Sequence, residues 1–206
     1  MSELVEYCNN NNLQLNVAKT KEMVIDFRKK KSPIEPLHIN GQEVEQVQVF
    51  KFLGCKIKND LKWTDQVADN LKQAQQRMYF LRRLNSFKVN RTILADFYRA
   101  TIESVLAKSI LVWGNSANVN DIKKLDRVVK NASYIIGDEM DKMQVIYEKR
   151  AANRTNNIMV DPSHPAHSMY KLMPSGRRLR SHKSGTERFL NSFFPSTIRF
   201  FNEKNK

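Results

Sequence analysis

Cysteine is nearly absent: Cys8 and Cys55 are the two in 206 residues. Two cysteines build neither a disulfide framework nor a cysteine zinc site. Long hydrophobic runs are missing too. None exceeds four residues, as in Ile110 to Trp113, where a bilayer span takes roughly 18 to 20. The six glycines are scattered. They form no G-x-x-x-x-G-K-[ST], no G-x-G-x-x-G and no G-x-S-x-G, so neither a phosphate cradle nor a nucleophile elbow can be built from them. The opening Met-Ser-Glu-Leu-Val-Glu is acidic and polar, where a signal peptide would be basic and then apolar. The expectation is a soluble intracellular protein, nuclear or cytoplasmic left open, with no membrane partner.

Positive charge is what the sequence has in excess. Thirty-five Lys and Arg stand against 21 Asp and Glu, a formal net charge of +14. The excess is uneven: +1 over residues 1–60, +5 over 61–110, +2 over 111–160 and +6 over 161–206. Concentrated charge favours a polyanionic partner, because phosphate contacts release counterions. With 41% apolar residues, 11 Phe, 6 Tyr and 2 Trp, the chain can still bury a core.

Periodicity divides the chain. Leu4, Val5 and Cys8 share one face of a short initial helix, which the polar run Asn9 to Asn12 ends. Leu13, Leu15 and Val17 alternate with polar residues, and Met23 to Phe27 is a short apolar run; both read as strands. Arg28 to Lys31 is a basic turn, and Pro33 and Pro36 forbid a helix there. Asn40-Gly41 is the dipeptide most favoured in two-residue hairpin turns. The β pattern then continues from Val44 to Ile57. From Trp63 the period changes: Trp63, Val67, Leu71, Ala74, Met78, Leu81 and Leu84 form a helical stripe of about six turns. Asn90 can cap a second helix and Asn118 or Asn120 a third, which Gly137 stops. A fourth runs from about Met140 to Met159. The fold class expected is α+β: a small β-rich part over 1–60, a helical bundle over 61–160 and a basic, partly irregular tail over 161–206.

Catalytic constellations are missing. His164 and His167 form an HxxH pair, but Pro162 and Pro165 exclude the helix that would align them on zinc. None of the four histidines is followed two positions later by Asp or Glu, so the local half of a two-histidine, one-carboxylate iron site is absent. Asp138, Glu139 and Asp141 lie next to a helix start, where acids suit the dipole. Binding signals are stronger. Lys29 to Lys31, Arg82-Arg83 and Arg177, Arg178 and Arg180 are basic clusters, the last two near Tyr79, Phe80 and Tyr170. Guanidinium forks match phosphates and aromatic faces stack on bases, although the aromatics at 79 and 80 equally suit a core.

The order of segments resembles the reverse transcriptases of LINE-type (non-LTR) retrotransposons, particularly elements of fish genomes. The resemblance rests on Asn12 to Glu22, on Phe50-Lys-Phe-Leu-Gly-Cys-Lys-Ile57, on Ala74 to Leu84, on Phe97-Tyr98 with Ile102 to Ser104, on Trp113, on Leu172 to Arg178 and on Asn191 to Pro195. It implies a C-terminal fragment: the end of the palm, the thumb and the C-terminal region. Lys19 would match the lysine that protonates leaving pyrophosphate. Phe50, Lys51, Phe52, Leu53 and Gly54 would match the primer grip, and Lys72, Arg77, Arg82 and Arg83, with the tail arginines, would follow the nucleic-acid backbone. The parent enzyme would use Mg, but its aspartate motif is absent here, so no metal, no cofactor and no enzymatic activity are expected. The partner implied is nucleic acid, RNA–DNA hybrid or RNA, held weakly and without sequence preference. The alternative expectation is a helical protein-interaction module with an unknown protein partner, similar to the N-terminal region of an AlkB-type tRNA-modifying protein but lacking its chemistry.

Overall fold

The computed structural model describes residues 2–30 and 32–204. Lys31 of the basic turn, and Asn205 and Lys206 at the end of the expected tail, lie outside them. The fold is α+β, mostly helical with a few two-stranded sheets. It divides into two compact units, one ending at Lys62 and one beginning at Trp63.

The first unit starts with helix α1, Ser2–Asn10. The expected strand through Leu13, Leu15 and Val17 is instead irregular chain followed by a 3-10 turn, Val17–Lys19. The cause is Asn16, whose side-chain oxygen accepts the Lys19 amide at 3.0 Å and so offers the backbone a local partner in place of a ladder. Met23 to Phe27 is likewise irregular; the pairing falls just before it, where β1 (Lys21–Glu22) runs parallel to β4 (Glu45–Gln46). Lys21 faces Glu45 in that register, and their side chains form an ion pair.

Two hairpins complete the unit. Strands β2 (His38–Ile39) and β3 (Gln42–Glu43) are joined by Asn40-Gly41, both at positive φ (50° and 76°), as a type I′ turn requires. Strands β5 (Val49–Phe52) and β6 (Cys55–Lys58) are joined by Leu53-Gly54 at φ 48° and 79°. The core is small: among the described residues, Cys8, Ile39, Val44 and Cys55 are its buried apolar side chains.

The second unit is built on α2, Thr64–Ser86, whose apolar stripe buries Val67, Ala74, Met78 and Leu81. Asn90 caps α3, Arg91–Phe97, by accepting the Thr92 amide at 2.8 Å. The helix then widens into a π-helical segment, Tyr98–Glu103, before a last turn, α4 (Ser104–Leu106). A short α5, Ile110–Trp113, follows. Asn118 caps α6, Val119–Ile136: its oxygen accepts the Asp121 amide at 2.8 Å and its NH2 donates to the Asp121 carboxylate at 2.7 Å. Gly137, left-handed at φ 76°, ends α6.

Helix α7, Met143–Val160, packs beside α5. Gly114 permits that approach, since a β-carbon there would lie 2.6 Å from the Ile110 carbonyl and 2.9 Å from the Tyr147 ring. Leu125, Val128, Val129 and Ala132 of α6 join the α2 residues, with Tyr98, Ile102, Leu106 and Trp113, in one core. Two polar side chains are buried in it with partners. Gln66 donates to Asn70 at 2.7 Å, and Asn70 donates to the Leu106 carbonyl at 3.3 Å, which ties α2 to the end of α4.

After Asp161 the chain makes a second, smaller core around Ile158, Tyr170, Leu179 and Ile198. A short α8, Glu187–Leu190, leads to α9, Phe193–Lys204, which packs on α7. Tyr170 therefore belongs to a core and not to a stacking surface. It is buried, and its hydroxyl meets Thr197 at 2.8 Å and Thr155 at 3.3 Å.

Candidate nucleic-acid interface

The side chains singled out in the sequence fall on several elements. Lys19 ends the 3-10 turn and is exposed. Phe50, Lys51 and Phe52 lie on β5, and Leu53-Gly54 forms the tip of that hairpin, with Leu53 85% exposed. Arg177, Arg178 and Arg180 sit in a loop closed by the Leu172–Leu179 bridge; the Met173 amide donates to the Arg178 carbonyl at 2.8 Å, and the Arg180 amide to the Lys171 carbonyl at 2.7 Å. Their side chains are exposed.

On α2 the cations diverge. Lys72, Arg82 and Arg83 are exposed, whereas Arg77 is half-buried. The Arg77 guanidinium donates to the Thr101 carbonyl in the π-helical segment. Widening a helix to the π register disturbs the regular i to i−4 pairing, and Arg77 engages one of the carbonyls there. Its charge is thus tied to holding α2 against the next helix. Arg82 points the other way, into a groove between α2 and α6.

That groove has a volume of about 410 Å³. Its floor is Leu71, Met78 and Val128, and its rim carries Arg82 from α2 with Lys124 and Arg127 from α6. The amides of Gln75 and Asn131 complete the lining. Lys124 makes an ion pair with Asp121 at 2.9 Å, but Asp121 is itself buried and engaged by the Asn118 cap. Around the α6 surface a second hollow of about 560 Å³ is edged by Lys123, Lys130 and Lys142, alongside Asp126 and Glu139.

The α6 cations do not stand out in the sequence, because the apolar stripe is the stronger pattern of that helix. A signal is present: Lys124, Arg127 and Asn131 are spaced 3 and 4, one helical face. Beyond Asp69, from α2 into α3, the charge is one-sided as well. Between Asp69 and Asp96 there is no acidic residue, while Lys72, Arg77, Arg82, Arg83, Lys88 and Arg91 are basic. Two helices thus present guanidinium and ammonium groups around a cleft with amide donors, an arrangement suited to holding phosphate oxygens.

Titration inside the bundle is set by burial. Desolvation raises Tyr98 above the ordinary tyrosine range, helped by the negative charge of Glu103. Glu103 is raised by its own burial, which the charge of Arg150 opposes. Among the described residues no group of three or more His, Cys, Asp or Glu is placed to hold a metal ion. No helix among them is long and apolar enough to cross a membrane.

A family model described as the N-terminal region of alkylated DNA repair protein alkB homolog 8 matches residues 63–104. The match spans α2, α3 and the π-helical segment, and ends at the first residue of α4. No curated protein and no solved structure matches the chain. These findings correct the resemblance to LINE-type reverse transcriptases, and with it the reading as a truncated retrotransposon polymerase with palm and thumb. The stretch Ala74 to Leu84, which carried the supposed thumb, lies within the AlkB-homologue match. An amphipathic stripe with basic residues off it is shared by many bundle helices, so its place in a series of short motifs was poor evidence of polymerase descent. The roles implied for Lys19 and for Phe50 to Gly54 rested on that resemblance alone.

Proposed function

We propose that the chain acts by binding and not by catalysis: a helical interaction module similar, over α2 to the start of α4, to the N-terminal region of AlkB homologue 8, with nucleic acid as its partner. The observation that carries this reading is the convergence of Arg82, Lys124 and Arg127 on the α2/α6 groove. Three cations from two helices around one cleft attract a polyanion more strongly than the same charges dispersed. The groove also supplies the neutral donors that accompany phosphate recognition. The matched family is described as an alkylated DNA repair protein, and nucleic acid is the partner such a description names for that protein. An intracellular setting, nuclear or cytoplasmic, fits such a partner.

The test is equilibrium binding of the full chain to labelled oligonucleotides across a salt series. Affinity is expected to fall steeply with salt, since each phosphate contact to a single strand contributes a slope of about 0.7 in log K against log salt. Replacing Arg82, Lys124 and Arg127 together by Ala should flatten that slope by roughly 2. Binding that is absent at low salt, or indifferent to the triple replacement, contradicts the proposal.

A further inference from the structure

Beside the groove, the C-terminal half of α2 and its cap residue leave three large aromatic side chains in solvent that a helical bundle would ordinarily cover. Tyr79 is 59% exposed, Phe80 56% and Phe87 67%. Arg83 is exposed among them, its guanidinium carbon 5.2 Å from the Phe87 ring centroid. Tyr79 and Phe80 meet edge to face, with centroids 5.5 Å apart. At about 100° per residue these four positions share an arc of about 100° on the helix surface. That arc adjoins the one bearing Leu71, Gln75, Met78 and Arg82, so the aromatic strip and the basic groove are neighbouring faces of one helix. Scattered exposed aromatics need no explanation, but a contiguous strip interleaved with arginine does.

We infer that the Tyr79–Phe80–Arg83–Phe87 strip is a stacking platform for the bases of a single-stranded nucleic acid whose phosphates lie along the α2/α6 groove. This rests on the nucleic-acid reading above and adds the strand state of the ligand. Charge selects the occupant: the α2 surface around the strip carries Lys72, Arg82 and Arg83 and, from Asp69 to Asp96, no carboxylate. Bases offer flat π faces to Tyr and Phe rings and to a guanidinium plane, which makes such recognition tolerant of sequence. A duplex hides those faces in its own stack and would meet only the cations. The platform therefore discriminates by strand state where the groove alone does not.

Single-stranded and duplex oligonucleotides of equal phosphate count, as RNA and as DNA, are titrated against the full chain. The single strands should bind more tightly. Replacing Tyr79 and Phe80 together by Ala should weaken single-strand binding by about tenfold or more, with duplex binding and the salt slope unchanged. A separate variant, Tyr79→Trp, keeps a ring in place and gives a reporter: its fluorescence should be quenched by a single strand and left alone by duplex or by polyglutamate. Equal affinity for single strand and duplex, or loss of both in the double variant, overturns the platform while leaving the groove intact if the triple cation replacement still flattens the salt slope. No binding of any oligonucleotide removes both. Binding of polyglutamate with the same Trp quench would overturn the choice of nucleic acid in favour of an acidic protein.

Discussion

Tyr98 shows what one atom contributes to this bundle. The side chain is fully buried, and among the described residues its hydroxyl has no hydrogen-bond partner. A buried hydroxyl without a partner costs more than it returns, so Tyr98→Phe should leave stability unchanged or raise it by up to about 1 kcal/mol. Tyr147, whose hydroxyl meets Ser196 at 3.1 Å, should instead lose roughly 1 kcal/mol as Phe. Burial raises Tyr98, Tyr147 and Tyr170 alike. A raised value means that the folded state keeps its proton when the unfolded chain has lost it. The corresponding stability is complete below the unfolded value near about 10 and declines as pH rises above it. Denaturant unfolding of wild type and Tyr98→Phe at neutral and alkaline pH checks both points. The variant should retain more of its stability at alkaline pH; an equal decline in both proteins would show that Tyr98 does not carry the effect.

At the same scale, single residues explain what the sequence disclosed about the site. Arg82 and Arg83 are adjacent in sequence and look alike, but a turn of about 100° sends one to the groove and the other to the aromatic strip. Arg77 reads as another surface cation, and only the π-helical carbonyl opposite it reveals an internal role. Tyr79 and Tyr170 both stand beside basic clusters in the sequence; three-dimensional packing exposes one and buries the other.

Among the elements, the helices were the most legible. Their stripes and caps are local signals, and Asn90, Asn118 and Gly137 each occupy the position that backbone geometry demands. The strands were less so, because pairing depends on partners distant in sequence. The hairpin of β2 and β3 announced itself through Asn-Gly, whereas the tip of β5 and β6 carries Leu53, a residue that pays a steric penalty at positive φ. Leu53 is also largely exposed, so its side chain contributes little packing. Leu53→Asn should therefore stabilise the first unit by up to about 1 kcal/mol, read as slower amide hydrogen exchange in Val49 to Lys58. Faster exchange there would mean that Leu53 has a packing role that outweighs its strain.

On the scale of the whole molecule, core and charge are distributed differently. The first unit has few buried apolar residues and exposes Phe50, Phe52 and Leu53, while the second encloses a continuous core of four long helical segments and their connections. Of the net charge of +14, only +1 falls in residues 1–60. The part with the larger core is thus also the part that presents the cationic surface, and a rigid bundle fixes the relative positions of α2 and α6 better than loops would. Composition made a polyanionic partner the expectation, but it could not say which of the basic clusters face a common cleft. That depends on the register in which α2 packs against α6.

Lysine footprinting tests the central claim directly. The full chain is acetylated briefly with and without a single-stranded oligonucleotide, at low and at high salt, and the modified lysines are identified by mass spectrometry. Lys124, on the rim of the groove, and Lys72, exposed on α2, should be protected at low salt and modified again when salt releases the ligand. Protection confined to Lys29, Lys51 or Lys171, or no protection of Lys72 and Lys124 under conditions where the oligonucleotide is bound, would contradict a nucleic-acid interface on these two helices.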